Sequence, residues 1–378
     1  MTGTQVSPAL TTSPSSTSLT PTAKPTESGS TTTTKPATTS TTTTKPTTTS
    51  TTTKPTTTTT TTKQTTTSTT TTNPTTTSTT TKPTTTSTTT TAEGDFPAKN
   101  YGTFFRDQYG QNSQITESEG GGIFIDTGST PYGVALVRVD SIPSSKRVKV
   151  IVIANKASYQ YNIVERSKYI GIPMQLGNGT YSLTIYEQVE GTSFTPVLAH
   201  SFSVSLASSL RPYTASSIIS DFSRGSACVG KAGSLCSGIT TQTGRVDAVY
   251  TWIVNNITYD RVLSANISND KTLYDTYLPD PDRTYSTRKG ICYDYASLMC
   301  AMLRSQGIPT RMIKGSTPLG YHAWNEVFFE GRGWVVVAAF RWKEIDGSGW
   351  VLLDSTWAAA GWSPEKIIST THTKQRTY

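Results

Sequence analysis

Two cysteines stand eight positions apart in the stretch "STRKGICYDYASLMCAMLRSQGIPTR", Cys292 and Cys300. Cys292 falls in the first turn of an expected helix, where free backbone N–H groups and the positive dipole end favour a thiolate. Cys300 lies roughly 12 Å further along the axis, at ~1.5 Å per residue, too far to bridge Cys292. It is expected to be a buried core thiol. A thiolate nucleophile needs a base, and the base needs a group that orients it. Of the three histidines, His200 lies in a β-rich run and His372 in a polar tail. His322 opens "HAWNEVFF" at a strand start, in the same region as Cys292. Asp354, in "WVLLDSTW", ends a neighbouring strand and can accept the imidazole's other N–H.

These residues need elements to hold them. The helix that Cys292 opens carries Leu298, Met299, Met302 and Leu303 as a buried stripe and stops at Gly307. Upstream, "TQTGRVDAVYTWIVNNITYD" has Val246, Val249, Tyr250, Ile253 and Val254 at helical spacing, with Thr243 as the expected cap. Downstream, "TRMIKGS", "HAWNEVFFE", "GWVVVAAFRW" and "GWVLLDSTW" are expected strands. A helix followed by an antiparallel sheet is an α+β arrangement. In "SACVGKAGSLCSG", Cys228 and Cys236 are expected to close a Gly/Ser-rich loop by a disulfide.

The rest of the chain divides by composition. Residues 1–93 are mostly threonine, broken by Lys-Pro at intervals of roughly nine or ten residues, as in "TKPATTSTTTTKPTTTS". Such a segment has little apolar surface to bury and is expected to be a disordered stalk. Residues 94–210 alternate with period two in "YGVALVRVD", "RVKVIVIAN", "TYSLTIYEQ" and "PVLAHSFSVSL", the pattern of a β-sandwich of immunoglobulin-like size. Residues 211–378 form the expected catalytic domain.

The net charge of +8 is spread along the chain, six lysines against two glutamates falling in the stalk. No dense basic block interleaves with aromatics, which argues against nucleic acid as a partner. No apolar run reaches the ~18 residues of a membrane-spanning helix. "MTGTQVSPAL" lacks the apolar core of an export signal, although a stalk of this kind belongs outside the cell. The expected location is extracellular or at the cell surface, with the export route and oligomeric state open. No His/Cys cluster calls for a metal or other cofactor.

Taken together, Val246 to Trp357 resemble the transglutaminase-like superfamily, a papain-like fold with a Cys–His–Asp triad. The resemblance is carried by the glycine ahead of Cys292, the Tyr-Asp after it, and the Leu-Arg-x-x-Gly-Ile-Pro helix exit. "YHAWNEV" and Leu-Asp-x-Thr-Trp complete it. It implies that Cys292 is the nucleophile, His322 the general base and Asp354 the orienting acid. Tyr259, in "NITYD", is the implied oxyanion donor beside the Cys292 backbone N–H. The order of sandwich and catalytic domain looks like that of bacterial extracellular members.

The interval between His322 and Asp354 is longer than the family pattern, and Asp346 within it is a rival third member. Asp346-Gly347 has the composition of a turn, whereas Thr356 and Trp357 complete the motif after Asp354. Trp324 and Trp357 are expected in the core or along the cleft wall. The implied substrate is a protein or peptide amide, with cell-wall or surface proteins among the candidates. A peptidase, a deamidase and a transamidase share this triad. The alternative is a non-catalytic surface module that binds through an inactive papain-like scaffold.

Overall fold

Period-two alternation produces eight strands, β1 (Ile115–Glu117), β2 (Ile123–Asp126), β3 (Val134–Val139), β4 (Val148–Ala154), β5 (Ala157–Ile163), β6 (Ile170–Pro173), β7 (Gly179–Glu190) and β8 (Ser193–Val204). They form two antiparallel sheets, ordered β1-β2-β3-β6 and β5-β4-β7-β8. In β4, Val148, Val150, Val152 and Ala154 alternate into the space between the sheets, and Tyr181, Leu183 and Ile185 of β7 meet them there. The computed structural model describes residues 97–330, 333–338, 341–343 and 352–378, with side chains described outside 331–353. The threonine-rich stretch and Asp346 lie outside the described residues.

The second half begins with α1 (Ala227–Cys236), α2 (Gln242–Asn256), β9 (Thr258–Tyr259), α3 (Arg261–Asn269), α4 (Lys271–Thr276), α5 (Pro281–Thr287) and β10 (Lys289–Gly290). There follow α6 (Cys292–Ser305), β11 (Thr310–Thr317), β12 (Gly320–Phe329), β13 (Gly333–Ala338), β14 (Arg341–Lys343), β15 (Leu352–Leu353), α7 (Ser355–Ala359), α8 (Pro364–Ser369) and β16 (Thr373–Thr377). The sheet runs β14-β13-β12-β11-β16, with β15 also paired to β12, so the chain is α+β. No described helix is long and apolar enough to cross a membrane.

The helix α6 is buried from Asp294 to Arg304, and its two faces serve two cores. Tyr295, Leu298, Met299 and Met302 pack with α1, α2 and β12. Ala296 and Cys300, one turn apart, join the core of the sandwich with Met312 and Ala323. Small residues on that face let the sandwich approach the helix closely. Ser297 Oγ donates to Ile219 O at 2.8 Å and Ser220 Oγ donates back to Ser297 O at 2.9 Å.

The helix exit is fixed by Arg304, which is fully buried. Its guanidinium donates to Thr310 O (2.9 Å), Ala215 O (3.0 Å) and Tyr378 O (3.3 Å), tying three distant backbone segments together. Gly307 then takes φ +72°, and a Cβ there would stand 1.9 Å from Asn100 Oδ1. Only glycine fits both the left-handed turn and the contact.

Two expectations are corrected. Cys228 and Cys236 are free thiols rather than a disulfide. The segment is the helix α1, in which residues eight apart lie roughly 12 Å from each other, beyond disulfide reach. Cys228, Ala232 and Cys236 recur every fourth residue and bury one stripe, which outweighs the loop-like glycines and serines. The cap of α2 is Thr241, whose side chain accepts from Gly244 N–H, rather than Thr243.

Candidate active site

Cys292 is the first residue of α6, and local chemistry fixes the helix start there. Asp294 Oδ2 accepts the Ile291 backbone N–H at 2.9 Å, satisfying a donor that the helix would leave free. Gly290 permits that return, because a Cβ on it would lie 2.5 Å from Asp294 Cβ. Asp294 is buried, and its other oxygen accepts from Tyr277 Oη at 2.7 Å, with Arg283 at 3.7 Å. The parallel pairing of β9 with β10 sets Tyr259 opposite Gly290.

The pairing of β11 with β12 places His322 opposite Gly315. The short β15 pairs with Asn325 and Glu326 of β12, which delivers Asp354 to the same place. Asp354 caps α7, accepting Trp357 N–H at 2.9 Å through Oδ1. Its Oδ2 lies 2.7 Å from His322 Nε2. With Nε2 engaged, Nδ1 is the nitrogen left for Cys292, which lines the same cleft as His322. Trp357 stacks on the His322 ring at 4.9 Å and 12°. Trp324 and Trp357 are both buried, with the core.

The electrostatics follow from this geometry. Burial alone would push the His322 imidazole down, but the hydrogen bond to Asp354 and the negative charges of Asp354 and Cys292 outweigh it and raise it to about 10. Burial would raise the Asp354 carboxyl, and the hydrogen bond from His322, with the His372 imidazole close by, instead holds it below the usual carboxylate range. Burial pushes the Cys300 thiol up; it contacts Asn325 Nδ2 at 3.2 Å and belongs to the core. Burial also pushes up the thiols of Cys228 and Cys236.

Cys292 and His322 open on a cleft of about 610 Å³, large enough for a peptide segment. Tyr259 and Tyr321 line it, and so do Gln160, Tyr161 and Asn162 of β5, so the sandwich supplies one wall. Tyr259 is 38% exposed, and its hydroxyl lies 3.3 Å from Ser264 Oγ. His200 is remote from this cleft, beside Thr116 Oγ1 at 3.3 Å. Among the described residues no group of three His, Cys, Asp or Glu side chains could hold a metal ion.

Sequence reasoning missed two residues. His372, assigned to a polar tail, has a side chain only 5% exposed and places Nε2 3.7 Å from Asp354 Oδ2. Its ring packs on Trp357 at 4.8 Å and Trp324 at 5.0 Å, and Nδ1 lies 2.9 Å from Thr370 O. The second is Lys314 of β11, which lines the cleft beside Cys292. The one sequence signal for His372 was the scarcity of histidine.

Residues 230–339 match the transglutaminase-like superfamily, so the chain carries a transglutaminase-like domain. The match includes Cys292 and His322 and ends before Asp354. Over 110 residues the chain is 31% identical to the uncharacterized protein YebA of Bacillus subtilis, covering 24% of this chain and 14% of that protein. Over 131 residues it is 30% identical to the kyphoscoliosis peptidase of Homo sapiens, covering 32% and 16%. The matched segments thus span less than a fifth of these curated relatives. Red sea bream transglutaminase aligns over 57% of this chain and 49% of its own, at 13% identity and TM-score 0.25.

Proposed function

We propose that the chain is a thiol acyl-transfer enzyme acting on amide bonds of proteins or peptides, with Cys292 as nucleophile. One observation carries the reading. His322 is buried against a carboxylate that itself is fixed by a helix cap, and it shares the wall of an open cleft with Cys292. His322 is the general base and Asp354 holds its orientation.

The Cys292 thiolate attacks the amide carbonyl carbon, forming the C–S bond and a tetrahedral oxyanion. The Cys292 backbone N–H at the start of α6, with Tyr259 at the cleft edge, supplies donors to that oxygen. The C–N bond breaks as the His322 imidazolium gives its proton to the leaving nitrogen. Water or a primary amine then loses a proton to His322 and attacks the thioester carbon, the C–S bond breaks, and the thiolate returns. Water as acceptor makes a peptidase or deamidase; an amine makes a transamidase.

The domain organisation supports a tethered enzyme, with residues 1–93 as stalk, 94–210 as sandwich and 211–378 as catalytic region. A cell-surface or extracellular location rests on the composition of the stalk.

The test is turnover of glutamine-containing peptides with and without a primary amine, followed by mass spectrometry. Chain cleavage, loss of ammonia or amine incorporation is expected, and each should vanish in Cys292→Ala and His322→Ala. A folded protein that yields none of these products would favour the non-catalytic binding module instead.

A further inference from the structure

Lys314 lines the cleft and has no part in the acyl-transfer steps above. It sits on β11 opposite Ala323 of β12 and Arg376 of β16. Its Nζ lies 3.2 Å from the centre of the Tyr293 ring and 5.7 Å from that of Tyr378. Both rings face the same cleft as Cys292 and His322.

The acids around it are committed elsewhere. Asp294 accepts from Ile291 N–H and Tyr277 Oη, at 2.9 and 2.7 Å. Asp275, also on the cleft, pairs with Arg147 at 3.3 Å and Lys271 at 3.4 Å. Among the described residues no carboxylate comes within ion-pair distance of Lys314. Burial pushes its ammonium down to about 7, against the pull of Cys292 and Asp294. Aromatic faces hold a cation in place without neutralising it.

We propose that Lys314 is a specificity-determining residue that receives a carboxylate of the substrate. The preferred amides are then those of acidic peptides, with a carboxylate on or next to the residue whose carbonyl Cys292 attacks. This rests on the reading of Cys292 as nucleophile. The competing role for Lys314 is counter-ion of the Cys292 thiolate itself, which would speed every electrophile alike.

Iodoacetate and iodoacetamide separate the two roles, since both alkylate a thiolate with loss of iodide and differ in carrying a carboxylate or a neutral amide. The ratio of their rates at Cys292 should exceed that of a free model thiol by about tenfold or more, the effect of one poorly screened charge at close range. In Lys314→Met the ratio should fall by about tenfold, leaving only what the His322 imidazolium contributes, while the iodoacetamide rate reports an intact site. A wild-type ratio equal to that of the model thiol would overturn the proposal, without need of any variant. Equal slowing of both reagents in Lys314→Met would overturn it in favour of the counter-ion role. If neither reagent modifies Cys292, the acyl-transfer reading fails first and takes this one with it.

Discussion

Replacing Asp354 with asparagine removes one charge and almost no volume, and the structure says what each atom would then do. Oδ1 accepts Trp357 N–H at 2.9 Å, and an asparagine oxygen keeps that cap, so α7 should persist. The amide nitrogen then replaces Oδ2, which lies 2.7 Å from His322 Nε2. Two donors cannot share that bond, so Nε2 must become the acceptor and the ring proton moves to Nδ1. That nitrogen is the one left for Cys292 and can no longer take its proton. A wrong tautomer of this kind costs up to ~10⁴-fold in acyl transfer. Asp354→Asn should therefore abolish nearly all of the acylation burst on an activated ester while circular dichroism stays unchanged. Asp346→Asn, the comparator from the long interval, should keep acylation within about tenfold of wild type, as Asp346-Gly347 has the composition of a turn and an aspartate in such a sequence contributes ~1 kcal/mol to the fold and little to chemistry. An Asp354→Asn burst within about tenfold of wild type would refute the reasoning.

Three further outcomes are expected. Gly290→Ala forces a Cβ to 2.5 Å from Asp294 Cβ, which should cost roughly 1–3 kcal/mol in urea unfolding and slow alkylation of Cys292; unchanged stability and labelling would contradict the account of the helix start. Arg304→Met strips the buried Ala215 and Thr310 carbonyls of their guanidinium donor at roughly 1–3 kcal/mol each, so a loss below ~1 kcal/mol would contradict its bracing role. The triad pair should also set a pH window for stability. The His322 contribution is complete below the ~6.5 of an unfolded imidazole and fades as pH rises through about 10. That of Asp354 is complete above ~3.9 and fades as pH falls through its lowered value. Unfolding free energies from urea titration should thus decline for wild type between about pH 6.5 and 10, by on the order of 5 kcal/mol at most, and stay flatter in Asp354→Asn; parallel curves would remove the pair from the stability balance.

How much of this was legible in the sequence depended on whether the cause was local. The start of α6 is written within five residues, Gly290 to Asp294, because the contact that fixes it is a return of Asp294 onto Ile291. The exit at Arg304 and Gly307 is equally local in its glycine, although the three carbonyls that Arg304 gathers come from residues 215, 310 and 378. His322 and Asp354 could be paired because motifs surround both, but the β12–β15 ladder that joins them is only two residues long. The failures share a cause as well. Glycines and serines in α1 suggested a loop, and tertiary burial of Cys228, Ala232 and Cys236 made it a helix. The segment after α8 is polar because β16 is an edge strand beside β11, and His372 is buried by tryptophans from other elements. Lys314 carried no local signal at all, since its surroundings are Tyr293 and Tyr378.

The central claim is that Cys292 is a nucleophile activated by His322, and alkylation followed by peptide mapping tests it most directly. At about pH 6.5 a neutral haloacetamide should modify Cys292 well before Cys228, Cys236 and Cys300, which are buried. His322→Ala should slow that reaction by roughly tenfold or more, since the thiolate loses its imidazolium partner. Labelling that is spread over the four cysteines, or that stays as fast without His322, would contradict the account.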